Sequence, residues 1–210
     1  VVIVVLGHRG MLGRRVMERY PSAEVIEARF TGDLKDPLLA ELDRIGPDWV
    51  IDCIGATDDE PDMWAVNAML PHRIGWPLVQ AGTDHHLDAT EYARSKRLGE
   101  TGNVIRCAIV DPDGGTLARA REQDTFGSPT REWNGITARS WARLAEEVVE
   151  GRLAGTVVPG SPTLSHFDML ETARRVFGWT TRTKEARGMW FAPRPRIMLP
   201  HIEDQLREYL

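Results

Sequence analysis

Tyr92 and Lys96 stand one helical turn apart in Tyr92-Ala93-Arg94-Ser95-Lys96. On a helix, residues i and i+4 share a face, so the lysine ammonium lies beside the phenol and favours its deprotonated form. A tyrosine in that setting can exchange a proton with a carbonyl or an alcohol. Alone, the pair also fits a solvated helix face, so its weight depends on what else the chain supplies. The other element with chemical potential is Gly7-His8-Arg9-Gly10-Met11-Leu12-Gly13, directly after the apolar run Val1–Leu6. Glycines that follow a strand and open a helix permit a tight turn and let backbone amides approach a pyrophosphate.

Two further groups bear on ligands. Glu27 lies twenty residues after Gly7, where an acid could hold ribose hydroxyls. Arg29, with Arg9 in the loop, could instead hold a ribose 2′-phosphate, which favours NADP(H) over NAD(H). His85 and His86, flanked by Asp84 and Asp88, suggest a metal site at first sight. Adjacent histidines on a strand point to opposite faces, however, and no second ligand cluster accompanies them. The expectation is therefore no metal, with the histidines lining a pocket.

These residues need a scaffold, and the first half of the chain supplies one. β-rich runs alternate with helix-like stretches, the pattern of an α/β fold: a Rossmann-type parallel sheet with helices on both faces. The predicted strands are Val1–Leu6, Glu24–Ala28, Trp49–Ile54, Leu78–Ala81 and Asn103–Val110, and the predicted helices lie near Leu12–Arg19, Pro37–Ile45, Pro61–Ile74 and Glu91–Glu100. Trp49–Ile54 is almost continuously apolar, as buried parallel strands are. After Val110 the turn cluster Asp111-Pro112-Asp113-Gly114-Gly115 ends the alternation. Beyond it, helices are expected from Thr137 to Val149, from Ser165 to Phe177 with Gly178 as terminator, and from His201 to Leu210, with an irregular loop over Lys184–Pro200. This divides the chain into a dinucleotide-binding core, 1–110, and a small mixed C-terminal lobe, 111–210, with the helix over 137–150 packing back on the core.

The 210 residues suffice for one well-buried core with a small annex. The net charge of −5 and pI near 5.7, without a basic run, argue against a nucleic-acid surface and for a small-molecule partner. Val1–Leu6 is too short for a signal-peptide core or a membrane span, so a cytoplasmic, soluble protein without a membrane partner is expected. Cys53 and Cys107 both fall in apolar runs and read as core thiols.

Taken together, the glycine loop, Thr83-Asp84, Tyr92 to Lys96 continuing into Arg97-Leu98-Gly99-Glu100, and Val104-Ile105-Arg106 resemble the dTDP-4-dehydrorhamnose reductase family of extended short-chain dehydrogenase/reductases. The likeness covers most of residues 1–110 and returns at Trp133-Asn134-Gly135-Ile136-Thr137 and Ser165–Leu170, similar to that family's substrate-side lobe. GxxGxxG is also the spacing of extended members of that superfamily. The resemblance implies that Thr83, Tyr92 and Lys96 are catalytic. Thr83 would hydrogen-bond the substrate C4 oxygen and Tyr92 would protonate it. Lys96 would lower the tyrosine pKa and hold the nicotinamide ribose. Gly7, Gly10 and Gly13, with Arg9, Met11 and Leu12, would form the pyrophosphate loop. Asp33 and Leu34 would lie near the adenine, and Gly55 and Ala56 beside the cofactor. Asn67 would support the active-site helix, and Asp84, His85, His86 and Trp133 would lie on the substrate side.

The implied activity is an NAD(P)H-dependent reductase of a 4-keto sugar nucleotide, in a form compatible with a homodimer. A non-catalytic cofactor-binding regulatory protein, or a sugar-nucleotide epimerase, are the alternatives. One departure stands out. The family separates the threonine signature from the tyrosine by a substantial loop that shapes the sugar pocket, whereas Thr83 and Tyr92 are only nine residues apart here.

Overall fold

A computed structural model describes residues 1–57, 60–85, 87–187 and 192–210. They form two compact units. The first comprises Val1–Arg106 and Ala142–Val157, the second Cys107–Trp141 and Val158–Leu210.

In the first unit, β1 (Ile3–Leu6), β2 (Glu24–Val25), β3 (Trp49–Asp52), β4 (Leu78–Gly82) and β5 (Asn103–Arg106) are all parallel. Between them run α1 (Met11–Arg19), α2 (Pro37–Ile45), a π-helical turn (Ala65–Met69) continuing into α3 (Leu70–Arg73), and α4 (Glu91–Gly99). The later strand β10 (Thr156–Val157) joins as a sixth, giving the order β10-β5-β4-β3-β1-β2. The sheet is thus doubly wound, and its order reverses between β1 and β3. Ligands of such sheets bind outside the carboxyl ends of the strands at that reversal. The two loops there are Gly7–Gly10 after β1 and the turn at Gly55 after β3.

The α/β class and the Rossmann-type sheet read from the sequence are those observed. Three details differ. The strand expected over Asn103–Val110 stops at Arg106 and resumes as β6 (Ile109–Val110), which pairs with β9 (Ile136–Thr137) in the second unit. The core is accordingly discontinuous, because residues 142–157 return to it. The run Glu24–Ala28 keeps only two ladder residues, since it is the sheet edge and has one neighbour.

The core behind the site follows from the pattern of the strands. Val4, Leu6 and Val50 project from β1 and β3 against Leu38 and Leu42 of α2, with Phe30, Leu70 and Leu78 closing the cluster. Asp36 caps α2, accepting hydrogen bonds from the amides of Leu38 and Leu39 as well as Thr31 and Gly32. Burial works against its charge, but these bonds together hold its carboxyl below the usual range.

The second unit contains β6, α5 (Gly115–Glu122), β7 (Thr125–Gly127), β8 (Glu132–Trp133) and β9, the start of α6 (Ala138–Val149), β11 (Pro159–Gly160), β12 (Leu164–Ser165), α7 (His166–Phe177), β13 (Thr183–Glu185), β14 (Ile197–Met198) and α8 (Ile202–Arg207). Ser165 caps α7 and left-handed Gly178 ends it, as the sequence predicts. Helix α5 and the short strands within 183–198 were not expected. Its core gathers Val110, Leu117, Trp133, Met169, Leu170, Ile202 and Leu206. Buried Arg174 donates to Thr181, Thr183, Thr125 and the Arg182 carbonyl, fastening α7 to β7 and β13. No helix among the described residues is long and apolar enough to cross a membrane. Cys53 and Cys107 are not joined in a disulfide.

Candidate active site

The glycine loop is built by contact rather than by composition. Gly7 has a φ of +71°, and a Cβ there would sit 3.0 Å from the backbone of Cys53 and Ile54. Glycine is needed on both counts. A Cβ on Gly13 would lie 2.2 Å from the Gly7 carbonyl oxygen, so α1 rests its first turn directly on the loop. Gly10 is the N-cap of α1 and offers no side-chain cap, with its own amide donating to the Gly7 carbonyl at 2.9 Å. The uncapped, acid-free first turn presents backbone donors and the positive end of the helix dipole to an anion. Met11 is half-buried and Leu12 buried in that first turn.

The second loop meets α4. Asn67, on the π-helical turn, is buried and clasps Ala56 on both sides. Its Oδ1 accepts from the Ala56 amide at 3.1 Å, and its Nδ2 donates to the Ala56 carbonyl at 2.8 Å and to Ser95 Oγ at 3.1 Å. Ser95 in turn donates to the carbonyl of Tyr92. The π-turn has a local cause. Pro71 has no N–H to give to the Asn67 carbonyl, and Leu70 bonds back to Ala65 instead. Gly99 of α4 packs against the Asn67 carbonyl, and a Cβ there would lie 1.8 Å from its oxygen.

On α4, Thr90 caps the first turn by accepting from the Ala93 amide at 3.1 Å. Tyr92 is half-buried against Ile54, Ala56, Met63 and Val66. Lys96 is only 9 % exposed; its Nζ donates to the Ala81 carbonyl at 3.4 Å, and a Cβ on Gly55 would lie 3.3 Å from it. The lysine therefore spans from the end of β4 to the turn after β3. Burial lowers its pKa while the nearby Asp52 carboxylate opposes the shift. Thr83, directly after β4, is buried, and its Oγ1 accepts from the His85 amide at 3.1 Å. The bridge from Thr83 to α4 is tied by His85, whose Nδ1 is 2.6 Å from Asp88 Oδ2 and whose Nε2 is 3.7 Å from Asp84 Oδ2. His86 lies outside the described residues.

The remaining predicted residues distribute as follows. Arg9 is exposed and donates to Glu27 at 2.6 Å, with His8 3.4 Å from the same carboxylate oxygen. Arg29 is also exposed and donates to Asp62 at 2.8 Å. Asp33 accepts from the Thr31 hydroxyl, and Leu34 is fully exposed. Trp133 is 5 % exposed within the core of the second unit, on β8 opposite Leu164. The structure thus brings Gly7, Gly13, Gly55, Ala56, Asn67, Thr83, Tyr92 and Lys96 to the carboxyl end of one sheet. Among the described residues, no group of three or more His, Cys, Asp or Glu could hold a metal.

Sequence reasoning missed Asp52 and Ser95. Asp52 is 3 % exposed at the end of β3, and its Oδ1 accepts from the Ile54 amide at 2.9 Å. Burial pushes its carboxyl up to about 6, with Lys96 and the Ile54 amide pulling the other way. The signal was present: an acid inside the apolar run Trp49–Ile54.

A nicotinamide dinucleotide fits these residues. Gly7 and Gly13 have no room for a Cβ, so the turn stays as tight as a pyrophosphate loop requires, and Lys96 presents a buried cation beside the Gly55 turn.

No protein-family profile matches the chain, and no curated protein sequence matches it significantly. Solved structures do. A dTDP-4-dehydrorhamnose reductase from Clostridium acetobutylicum is similar with a TM-score of 0.76 at 19 % identity, over 100 % of this chain and 98 % of that one. The Bacillus anthracis dTDP-4-dehydrorhamnose reductase, solved with NADP, gives 0.77 at 13 % identity over 99 % and 97 %. The Bordetella bronchiseptica enzyme WbmH, solved with NAD+, gives 0.72 at 13 % identity over 98 % and 95 %. The chain therefore shares, over nearly its whole length, the Rossmann-type fold of the dTDP-4-dehydrorhamnose reductases.

Proposed function

We propose that this protein is an NAD(P)H-dependent reductase of a 4-keto sugar nucleotide. The observation that carries the reading is Lys96, a buried cation held between the Ala81 carbonyl and the Gly55 turn, one helical turn from Tyr92. Burying a lysine is costly, and a helix that only covered a sheet would place it in water.

The chain's residues divide the work. The amides of the Gly7–Gly13 turn and of the first turn of α1 bind the pyrophosphate, and Lys96 holds the nicotinamide ribose. Bound nicotinamide supplies the hydride. Thr83 Oγ1, which accepts from the His85 amide, orients its own hydroxyl proton toward the substrate C4 oxygen. Tyr92 gives that oxygen its proton, and the adjacent ammonium stabilises the phenolate left behind. The Asn67 and Ser95 hydrogen bonds fix α4 against the Ala56 turn, holding tyrosine and lysine in register.

NADP(H) is the preferred dinucleotide in this reading. Glu27, the acid that would repel a 2′-phosphate, is paired with Arg9, and Arg29, an exposed guanidinium paired with Asp62, stands two residues further on. The short bridge pinned by His85 and Asp88 favours a second reading, a cofactor-binding regulatory protein without turnover, because it removes pocket wall.

The test follows nicotinamide absorbance for the protein with NADPH or NADH and a panel of 4-keto sugar nucleotides. Turnover that falls about 10²- to 10⁴-fold in Tyr92→Phe supports the reductase. NADPH binding without turnover on any substrate supports the regulatory reading, and absence of nicotinamide binding excludes both.

A further inference from the structure

We infer that Asp52 is a positioning residue of this site, the counter-charge that keeps the Lys96 side chain an ammonium over the Gly55 turn. Its consequence for activity rests on the reductase reading above; the electrostatic coupling itself does not.

Asp52 accepts from the Ile54 amide, a bond that a neutral side chain could serve as well, so that bond does not account for its charge. Its neighbours Val50 and Ile51 are wholly buried, and its register partners are Leu6 on β1 and Gln80 on β4, in the middle of the sheet. Gln80 bonds the carbonyls of Gly99 and Thr101 at the end of α4, so this face of the sheet is the one α4 covers. A buried acid in that position is costly unless it answers a charge. Lys96 is that charge: its Nζ sits between the Ala81 carbonyl, next to Asp52's register partner Gln80, and the Gly55 turn three residues after Asp52, and each of the two groups acts on the other's ionisation.

The other titratable groups around Lys96 stay neutral or have partners of their own. Cys53, beside Asp52, is held as a neutral thiol by burial and by the Asp52 charge. Glu100, which follows α4, is bound through both carboxylate oxygens to Arg106 of β5. His72 of α3 bonds the Leu98 carbonyl on the exposed side of α4. Asp52 is left as the unspent anion. Without it, desolvation of Lys96 would be opposed by no free carboxylate, and its proton would leave at lower pH.

The composition of the chain makes this measurable at one atom. It has three lysines, Lys35, Lys96 and Lys184, and Lys35 and Lys184 are exposed. Lysine labelled with ¹³C at Cε therefore gives three titrating resonances, with Lys96 assigned by its loss in Lys96→Met. In Asp52→Asn, whose amide oxygen can still accept from Ile54, Lys96 should lose its proton at least about one pH unit below wild type. Asp52→Ser gives the same readout if the amide is not accommodated, and Glu100→Gln should move the titration less. Coincident Lys96 curves in wild type and the Asp52 variants, or an equal shift in Glu100→Gln, overturn the assignment.

NADPH binding, followed by nicotinamide fluorescence, should weaken at correspondingly lower pH in Asp52→Asn. Binding with the same pH dependence in both proteins overturns the role of Asp52 alone. A wild type that binds no NADPH overturns the nicotinamide reading instead, while the lysine titration still decides the coupling.

Discussion

Asp52 ionises in the folded protein near pH 6 and in an unfolded chain near 3.8, so the folded state holds its proton more tightly. The stability it contributes is fully present below the unfolded value and is lost as pH rises through about 6. Asp52→Asn has no such loss. Urea denaturation at pH 4.5 and 7.5 should therefore show the variant gaining about 2 kcal/mol on wild type between the two, from 1.36 kcal/mol per pKa unit. A constant difference would contradict the raised pKa. Arg29 carries a separate prediction. Arg29→Ala should raise the Kd for NADPH about tenfold and leave that for NADH little changed, as fluorescence titration would show; equal effects would remove the 2′-phosphate contact. At this scale the sequence was partly legible. Tyr92 and Lys96, and Gly7, Gly10 and Gly13, announce themselves because their partners lie a few residues away. Asp52 and Lys96 are 44 residues apart, as 96 − 52, and Asn67 and Ser95 are 28 apart. No local spacing can report such pairs, and only the sheet and α4 bring them together.

Helix α4 and the π-turn behave as one element with a seam of contact at Gly99. A methyl group there would lie 1.8 Å from the Asn67 carbonyl, backbone against backbone, and neither partner can rotate away. Gly99→Ala should cost about 3 kcal/mol of stability in chemical denaturation. It should also impair cofactor binding, because Asn67 and Ser95 connect the seam to the Ala56 turn. Gly102→Ala, on the loop after α4 with a φ of +63° and a Cβ that would lie 3.1 Å from the Leu78 carbonyl oxygen, should cost stability without touching that connection. Helix α7 was readable because its cap, Ser165, stands in the sequence where a cap must. Strand β10 was not, since two residues carry no period. Helix α5 hid behind Gly114-Gly115, which read as a turn but supply its N-cap and first residue.

The whole molecule is interleaved: residues 107–141 of the second unit separate the strands of the first from its last segment, 142–157. The boundary read from composition stands at Val110, with the helix over 137–150 expected to pack back on the core; the returning segment of the first unit is 142–157 and includes β10. A chain ending at Arg106 would keep the glycine loop, Thr83, Tyr92 and Lys96. It would lack β10, and β5 would present an unpaired edge. Such a fragment should aggregate or lose its cooperative transition by circular dichroism, despite holding every proposed catalytic residue; a stable monomer with wild-type NADPH affinity would show that the return segment is dispensable.

The parallel pairing of β10 with β5 also sets a clock. At roughly 5–20 residues per second, a ribosome needs about 2–10 s to make residues 107–155 after β5 is finished. Throughout that interval the nascent sheet waits with one side open, and the segment that will cover it arrives only after a large part of the second unit has been made.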